Sequence, residues 1–254
     1  KDYNQGGARY NTSYIQGVGI GTLTDCFSSL KYCVYDQNQI SMKKLLDILE
    51  NDFSGEDILH NQLKKAPKYG NDDDYADDMT KHIFRIFHDA VTKRPNAKGG
   101  YYRINLLPTT CHVYFGEVTG ALPDGRKAGI PFSEGISPVQ GADTCGPTAV
   151  LKSASKIDHL KTGGTLLNQK FLPELMKDEK GNQGIVHLIR SYFKMDGHHI
   201  QFNVVDEKTL RDAQKNPQDH RDLIVRVAGY SDYFVDLTAP LQEEIIQRTA
   251  HANY

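Results

Sequence analysis

The sequence predicts an α/β fold, and three observations carry that prediction. From Thr148 onward, helix-like and strand-like stretches alternate, the pattern of parallel strands joined by crossover helices. Most of the first hundred residues instead carry apolar side chains at helical spacing, which predicts a mainly helical segment over 1–100. A chain of 254 residues with 39% hydrophobic content is also long enough to bury a sizeable core.

Taken in order, residues 24–35 place Phe27, Leu30, Val34 and Tyr35 on one helical face, with Cys26 and Cys33 packed on or near it as small hydrophobes. Ser41 is a good N-cap for a helix over 41–49, in which Met42, Leu45, Leu46 and Leu49 form the apolar stripe. A shorter helix follows over 55–66. The acidic run 71–78 lacks the Asp-x-Asp-x-Asp-Gly loop and closing glutamate of a calcium site. Its carboxylates are expected to face the N-terminal dipole of a long helix over 75–93. The stripe of that helix is Met79, Ile83, Ile86, Phe87, Ala90 and Val91, with His82 and His88 peripheral.

A strand and helix segment is expected over 101–221. Residues 101–118 read as extended chain, with 107–115 at its core, and residues 121–126 read as a Pro/Gly turn. The Gly/Pro/Ser-rich stretch to Pro147 is a long ordered loop, whose role is either wrapping or chemistry. A helix over 148–160, a strand over 163–171, a helix over 184–195, a strand over 198–205 and a helix over 207–214 complete the alternation. A strand over 222–227 follows, and Phe234, Leu237, Leu241 and Ile245 then recur at spacings of three, four and four along one helical face. Gly229 is expected at the strand-to-helix junction between them, where buried loops commonly present a reactive atom.

A net charge of −2 provides no field for nucleic acid or an anionic membrane. No apolar run reaches the roughly 18–20 residues of a bilayer span. The opening residues are not a signal peptide, so a cytoplasmic protein is expected. The chain starts without Met in a loop-like segment, which suggests the C-terminal piece of something longer. The four cysteines form no Cys-x-x-Cys pair, against zinc, an iron–sulfur cluster or a redox motif. Thr22 breaks the Gly-x-Gly-x-x-Gly begun at Gly17. His198 and His199 point to opposite faces of a strand, and Ser153-x-x-Lys156 lies in a helix without the partner motifs of a serine β-lactamase. No bound metal or nucleotide is therefore expected.

The run Arg226-Val227-Ala228-Gly229-Tyr230-Ser231, followed by Phe234, Gln242, Ile245, Ile246, Arg248 and Thr249, resembles the C-terminal signature of the glycyl radical enzymes. The resemblance implies a radical on Gly229, installed after translation by a radical S-adenosylmethionine activating enzyme. Glycine suits that role, because a planar Cα radical conjugated with both flanking peptide groups is crowded by a Cβ substituent. The resemblance also implies the C-terminal part of a ten-stranded α/β barrel made of two half-barrels, a glycine radical domain over 222–254, a homodimer and a small-molecule substrate.

Within that family, residues 7–21, 107–116 and 196–205 look most like the branch that dehydrates trans-4-hydroxy-L-proline to pyrroline-5-carboxylate. By that likeness Thr109 faces the substrate; the plain alternative is a buried strand threonine bonded to backbone. The diol dehydratases and the choline and isethionate lyases share the glycine motif. The dehydratase and lyase branches also carry a Gly-Cys-x-Glu that supplies the thiyl radical, and none of Cys26, Cys33, Cys111 or Cys145 stands in that sequence. An N-terminal portion or subunit bearing it is expected, so the chain is either part of a radical lyase or a non-catalytic radical carrier for a partner.

Overall fold

A computed structural model of the protein describes residues 1–252. Strand β1 (Thr12–Gln16) leads into helix α1 (Ile20–Ser29), which starts four residues before the apolar spacing indicated because Gly19 takes the N-cap position at φ +80°. The same rod continues as a π-helical turn over Leu30–Asp36. Helix α2 (Met42–Glu50) starts where the cap predicts, with Ser41 Oγ accepting from Lys44 N at 3.2 Å. Helix α3 (Asp57–Lys65) and helix α4 (Asp74–Val91) follow, and Asp73 caps α4 through Tyr75 N.

The buried face of α4 is rotated from the predicted stripe. Ala76, Asp77, Thr80 and Phe84 are buried, while Ile86 and Ala90 are exposed. Polar residues hold that face: Asp77 Oδ2 accepts from Ser153 Oγ at 2.9 Å and from Lys156 Nζ at 2.6 Å. Hydrophobic periodicity is blind to a face sealed this way, and the Ser153/Lys156 pair is thereby a structural pin.

Strand β2 (Tyr101–Leu106) is the extended chain expected, but residues 111–117 are helix α5 (Cys111–Glu117). Tertiary contacts override strand propensity there. A Cβ on Gly116 would stand 2.3 Å from the Ile130 carbonyl oxygen, and Phe132 N donates to His112 O at 3.1 Å, so the turn is pressed against the following loop. That loop is ordered by Arg126, which donates to the carbonyls of Gly116, Thr119, Gly120 and Ile130. These four bonds are wrapping, one of the two roles the composition left open.

Helix α6 (Pro147–Ser155) ends before a separate 3₁₀ turn at His159–Lys161. The single strand expected over 163–171 is two, β3 (Thr162–Thr165) and β4 (Leu167–Phe171). They part at Leu166, whose carbonyl accepts from Ile136 N at 2.8 Å instead of from a strand. Helix α7 (Glu179–Lys194) begins five residues early, because Asp178 caps Gly181 N at 2.7 Å despite the helix-poor glycines at 181 and 184. Strand β5 (Ile200–Val204), helix α8 (Glu207–Lys215), strands β6 (Ile224–Arg226) and β7 (Ser231–Tyr233), helix α9 (Ala239–Gln247) and strand β8 (Ala250–His251) complete the chain.

The predicted parallel pairing is present in two sheets, ordered β1-β2-β3 and β5-β4-β8, while β6 and β7 form an antiparallel hairpin. Among the described residues three apolar clusters hold these parts. One lies between the sheets and helices α4, α6 and α7, one binds the N-terminal helices around Leu45, Ile48, Phe53 and Leu63, and one fastens the C-terminal elements.

Candidate functional site: the glycine hairpin and its polar bed

Gly229 lies at the tip of the β6–β7 hairpin, closed by Val227 N donating to Tyr230 O at 2.9 Å. This corrects the expected strand-to-helix junction: a 3₁₀ turn at Phe234–Asp236 intervenes, and α9 starts only at Ala239, with Pro240 in its first turn. Phe234, Leu241 and Ile245 still share one core with Val225, Val227, Ala228 and Leu166, with Leu237 packed against it. The backbone at Gly229 has φ +90°, a region that favours glycine. Val227 and Ala228 are buried, whereas Gly229 and Tyr230 are exposed, which corrects the expectation of a buried loop in this chain.

The hairpin rests on side-chain amides. Asn203 Oδ1 accepts from Arg226 N at 2.8 Å, and Asn203 Nδ2 donates to Arg226 O at 2.9 Å. Gln201 Oε1 accepts from Gly229 N at 3.3 Å and from Arg226 Nε and Nη2 at 3.2 and 3.0 Å. Gln201 Nε2 donates to Asn168 Oδ1 and to Val227 O, and Asn168 Nδ2 donates to Val227 O at 3.3 Å. Arg226 Nη1 also donates to Ser231 Oγ at 3.0 Å across the hairpin.

Below this bed lies a buried ionic layer. Arg248 Nε and Nη2 donate to Glu244 Oε1 and Oε2 at 3.0 and 2.7 Å, and Arg248 Nη1 donates to Arg226 O at 3.2 Å. His112 Nε2 stands 3.5 Å from Glu244 Oε2. Burial pushes the Glu244 carboxyl up, but the Arg248 guanidinium and His112 outweigh it and hold the group well below the usual carboxylate range. Glu134, nearby, has a buried Oε2 with no hydrogen-bond partner. Burial pushes its carboxyl up to about 7, with Arg248 opposing and Glu244 reinforcing the shift. Lys170 Nζ caps the end of α9 by donating to Ile246 O at 2.7 Å, and burial, then Arg248, lowers its ammonium to about 8.

Of the residues singled out in the sequence, Arg226, Val227, Ala228, Gly229, Tyr230 and Ser231 are thus gathered in one hairpin. The rest of the signature is its support. Gln242 Nε2 donates to Phe234 O at 2.9 Å, Ile245 and Ile246 fill the core, and Thr249 Oγ1 donates to Asp143 Oδ1.

Thr109 is not part of this assembly. It is exposed, at φ +51° between β2 and α5, which overturns the buried strand position of the plain alternative, while its Oγ1 donates to the backbone at Pro108 O at 2.6 Å, as that alternative expected. Sequence reasoning missed Asn168, Lys170, Gln201, Asn203 and Glu244. The one available signal was Gln201 and Asn203 alternating with apolar residues, a pattern that ordinarily marks a solvent face. Among the described residues no group of three or more His, Cys, Asp or Glu side chains is arranged to hold a metal ion. No helix among them is long and apolar enough to cross a membrane.

Comparison with known proteins agrees with this architecture. Residues 1–116 match the family described as pyruvate formate lyase-like, and residues 132–235 match the one described as glycine radical. The trans-4-hydroxy-L-proline dehydratase of Clostridioides difficile is 59% identical over 250 residues, 98% of this chain and 32% of that protein. The crystal structure of hydroxyproline dehydratase from the same organism, with trans-4-hydroxy-L-proline bound, superposes with a TM-score of 0.98 at 57% identity, covering 100% of this chain and 32% of that one. The B12-independent glycerol dehydratase from Clostridium butyricum gives a TM-score of 0.95 at 46% identity, over 98% of this chain and 32% of that one. The chain spans about a third of the length of the curated relatives it matches. With a mixed helix and sheet fold and the Gly229 hairpin inside the matched stretch, the chain joins a pyruvate formate lyase-like domain to a glycine radical domain.

Proposed function

We propose that this chain is the radical-storing part of a glycyl radical carbon–oxygen lyase that dehydrates trans-4-hydroxy-L-proline to pyrroline-5-carboxylate. The observation that carries the proposal is Gly229 itself, a positive-φ glycine at a hairpin tip inside the stretch matched as glycine radical. The identity to the hydroxyproline dehydratase supports the substrate. A radical S-adenosylmethionine activating enzyme removes a hydrogen atom from Gly229 Cα. The stored radical then takes a hydrogen atom from a cysteine thiol, and the resulting thiyl takes one from the substrate.

In this proposal residues 1–100 and 101–221 belong to a ten-stranded barrel, residues 222–254, of which 253 and 254 lie outside the described residues, form the glycine radical domain, and Thr109 faces the substrate. Arg226, Val227, Ala228, Tyr230 and Ser231 hold the loop. The remainder of the polypeptide supplies Gly-Cys-x-Glu and covers the exposed tip at Gly229 and Tyr230, because a radical open to solvent meets oxygen. The working protein is an anaerobic, cytoplasmic homodimer.

The test is anaerobic activation of the complete natural polypeptide followed by addition of trans-4-hydroxy-L-proline. Pyrroline-5-carboxylate is the expected product, and turnover of a 1,2-diol, choline or isethionate in its place reassigns the substrate. A second reading, a radical-carrier subunit for a partner chain, is favoured by one observation: no cysteine here lies in Gly-Cys-x-Glu. An intact mass of the natural protein separates the two, since a longer chain containing that motif ends the carrier reading.

A further inference from the structure

We propose that Asn168, Gln201 and Asn203 form an amide clasp that positions the glycine hairpin, and that Gln201 further tunes the Gly229 peptide group. The tuning part rests on Gly229 being the radical store; the positioning part does not.

The clasp is a property of one sheet face. In the β4–β5 register Asn168 is opposite Gln201 and Lys170 is opposite Asn203, and all four side chains are buried. Residues two apart on a strand share a face, so this face of a buried sheet is polar where an apolar layer is the ordinary solution. Buried amides are costly unless bonded, and here their bonds go to the backbone of residues 226–229. Asn203 engages both the N–H and the C=O of Arg226. It thereby stands in for a neighbouring strand on that side, since among the described residues the sheet pairing of β6 is to β7 alone.

Gln201 orients the tip. Its Oε1 faces three donors, two from the Arg226 guanidinium and one from Gly229 N–H, while its Nε2 faces the acceptors Asn168 Oδ1 and Val227 O. Reversing the amide would set donor against donor and acceptor against acceptor, so its orientation is determined. The Gly229 N–H therefore points at a side-chain carbonyl whose own position is held by a charge-assisted bond. Accepting that hydrogen bond leaves more electron density on the peptide nitrogen. Donation from that nitrogen is one of the two effects that stabilise a radical on the adjacent Cα.

The first measurement is site-resolved hydrogen exchange on the complete polypeptide before activation. Gln201→Met removes every bond at similar length and is expected to speed exchange at Gly229 about tenfold, the loss of one hydrogen bond, with β4 unchanged. Gln201→Glu keeps the acceptor toward Gly229 N–H and the Arg226 guanidinium, with the Asn168 amide free to turn its Nδ2 toward the second oxygen, and is expected to retain the protection. Unchanged Gly229 exchange in Gln201→Met overturns the clasp. If Gln201→Met loosens β4 as well, Gln201→Glu decides: wild-type protection at Gly229 upholds the clasp, and a loss as large as that of Gln201→Met overturns it. The second measurement is electron paramagnetic resonance after anaerobic activation. Gln201→Met is expected to change the splitting or g-values of the doublet and Gln201→Glu to lie nearer the wild type. Identical spectra in all three overturn the tuning. A wild type with no doublet, the exchange result standing, removes the radical reading and leaves the positioning role intact.

Discussion

A Cβ placed on Gly229 would stand 3.2 Å from Leu166 Cδ1, tighter than an ordinary van der Waals contact, on a backbone already at φ +90°. Leu166 is also where β3 and β4 part, so the residue beneath the hairpin tip is tied to the 134–137 loop and has little room to retreat. Gly229→Ala should therefore fold but lose about 1–2 kcal/mol, the cost of a left-handed backbone for an L-residue. Denaturant unfolding of the complete polypeptide measures this, and a variant as stable as the wild type contradicts the geometry. The same substitution should leave no radical signal after activation.

Arg248 is the sole cation paired with the buried Glu244 carboxylate among the described ion pairs, apart from the titratable His112. Arg248→Met leaves that charge buried and should cost about 3–5 kcal/mol. Adding Glu244→Gln should restore part of the loss, a coupling that a double-mutant cycle detects. Strictly additive effects would show that the pair contributes nothing.

The proton on Glu134 predicts a pH dependence of known sign. Its folded value of about 7 lies above the ordinary 4.5, so the folded state holds the proton more tightly. The resulting stabilisation is complete below about 4.5 and is lost as pH rises through 7. Arg248, Glu244, Ser137 and Asn168 surround the group. Glu134→Gln imitates the protonated form, so its stability relative to the wild type should rise over that window. A difference that stays flat from pH 4.5 to 7.5 contradicts the burial of an ionisable Glu134.

Thr109→Val keeps the shape of the side chain and removes the hydroxyl from an exposed turn. If Thr109 faces the substrate, kcat/KM should fall about threefold to tenfold, the value of one neutral hydrogen bond, with stability nearly unchanged. Unaltered kinetics would remove Thr109 from the substrate site.

Much of this architecture was legible because local rules and tertiary structure agree. Ser41 caps α2, the Asp-rich run starts α4, and the alternation after Thr148 is realised as parallel pairing. The failures lie where tertiary contacts decide. Val113, Tyr114 and Phe115 favour a strand, yet Gly116 pressed against Ile130 makes the segment helical. The tip of the hairpin was found from Gly229, but its bed was not. Gln201 and Asn203 look like solvent-facing strand residues until the chain returns, 23 to 28 residues later, to cover them. Glu244 on α9 and Arg248 at its C-cap, spaced four apart, resemble a surface pair and are instead buried.

A radical stored on Gly229 marks its own position when it meets oxygen. The complete polypeptide is activated anaerobically, its radical content is confirmed by electron paramagnetic resonance, and the sample is exposed to air and analysed by mass spectrometry. Cleavage of the backbone at Gly229, in proportion to the radical content and absent from Gly229→Ala, is the predicted result. An intact chain despite a confirmed radical, or cleavage at another residue, would contradict the assignment.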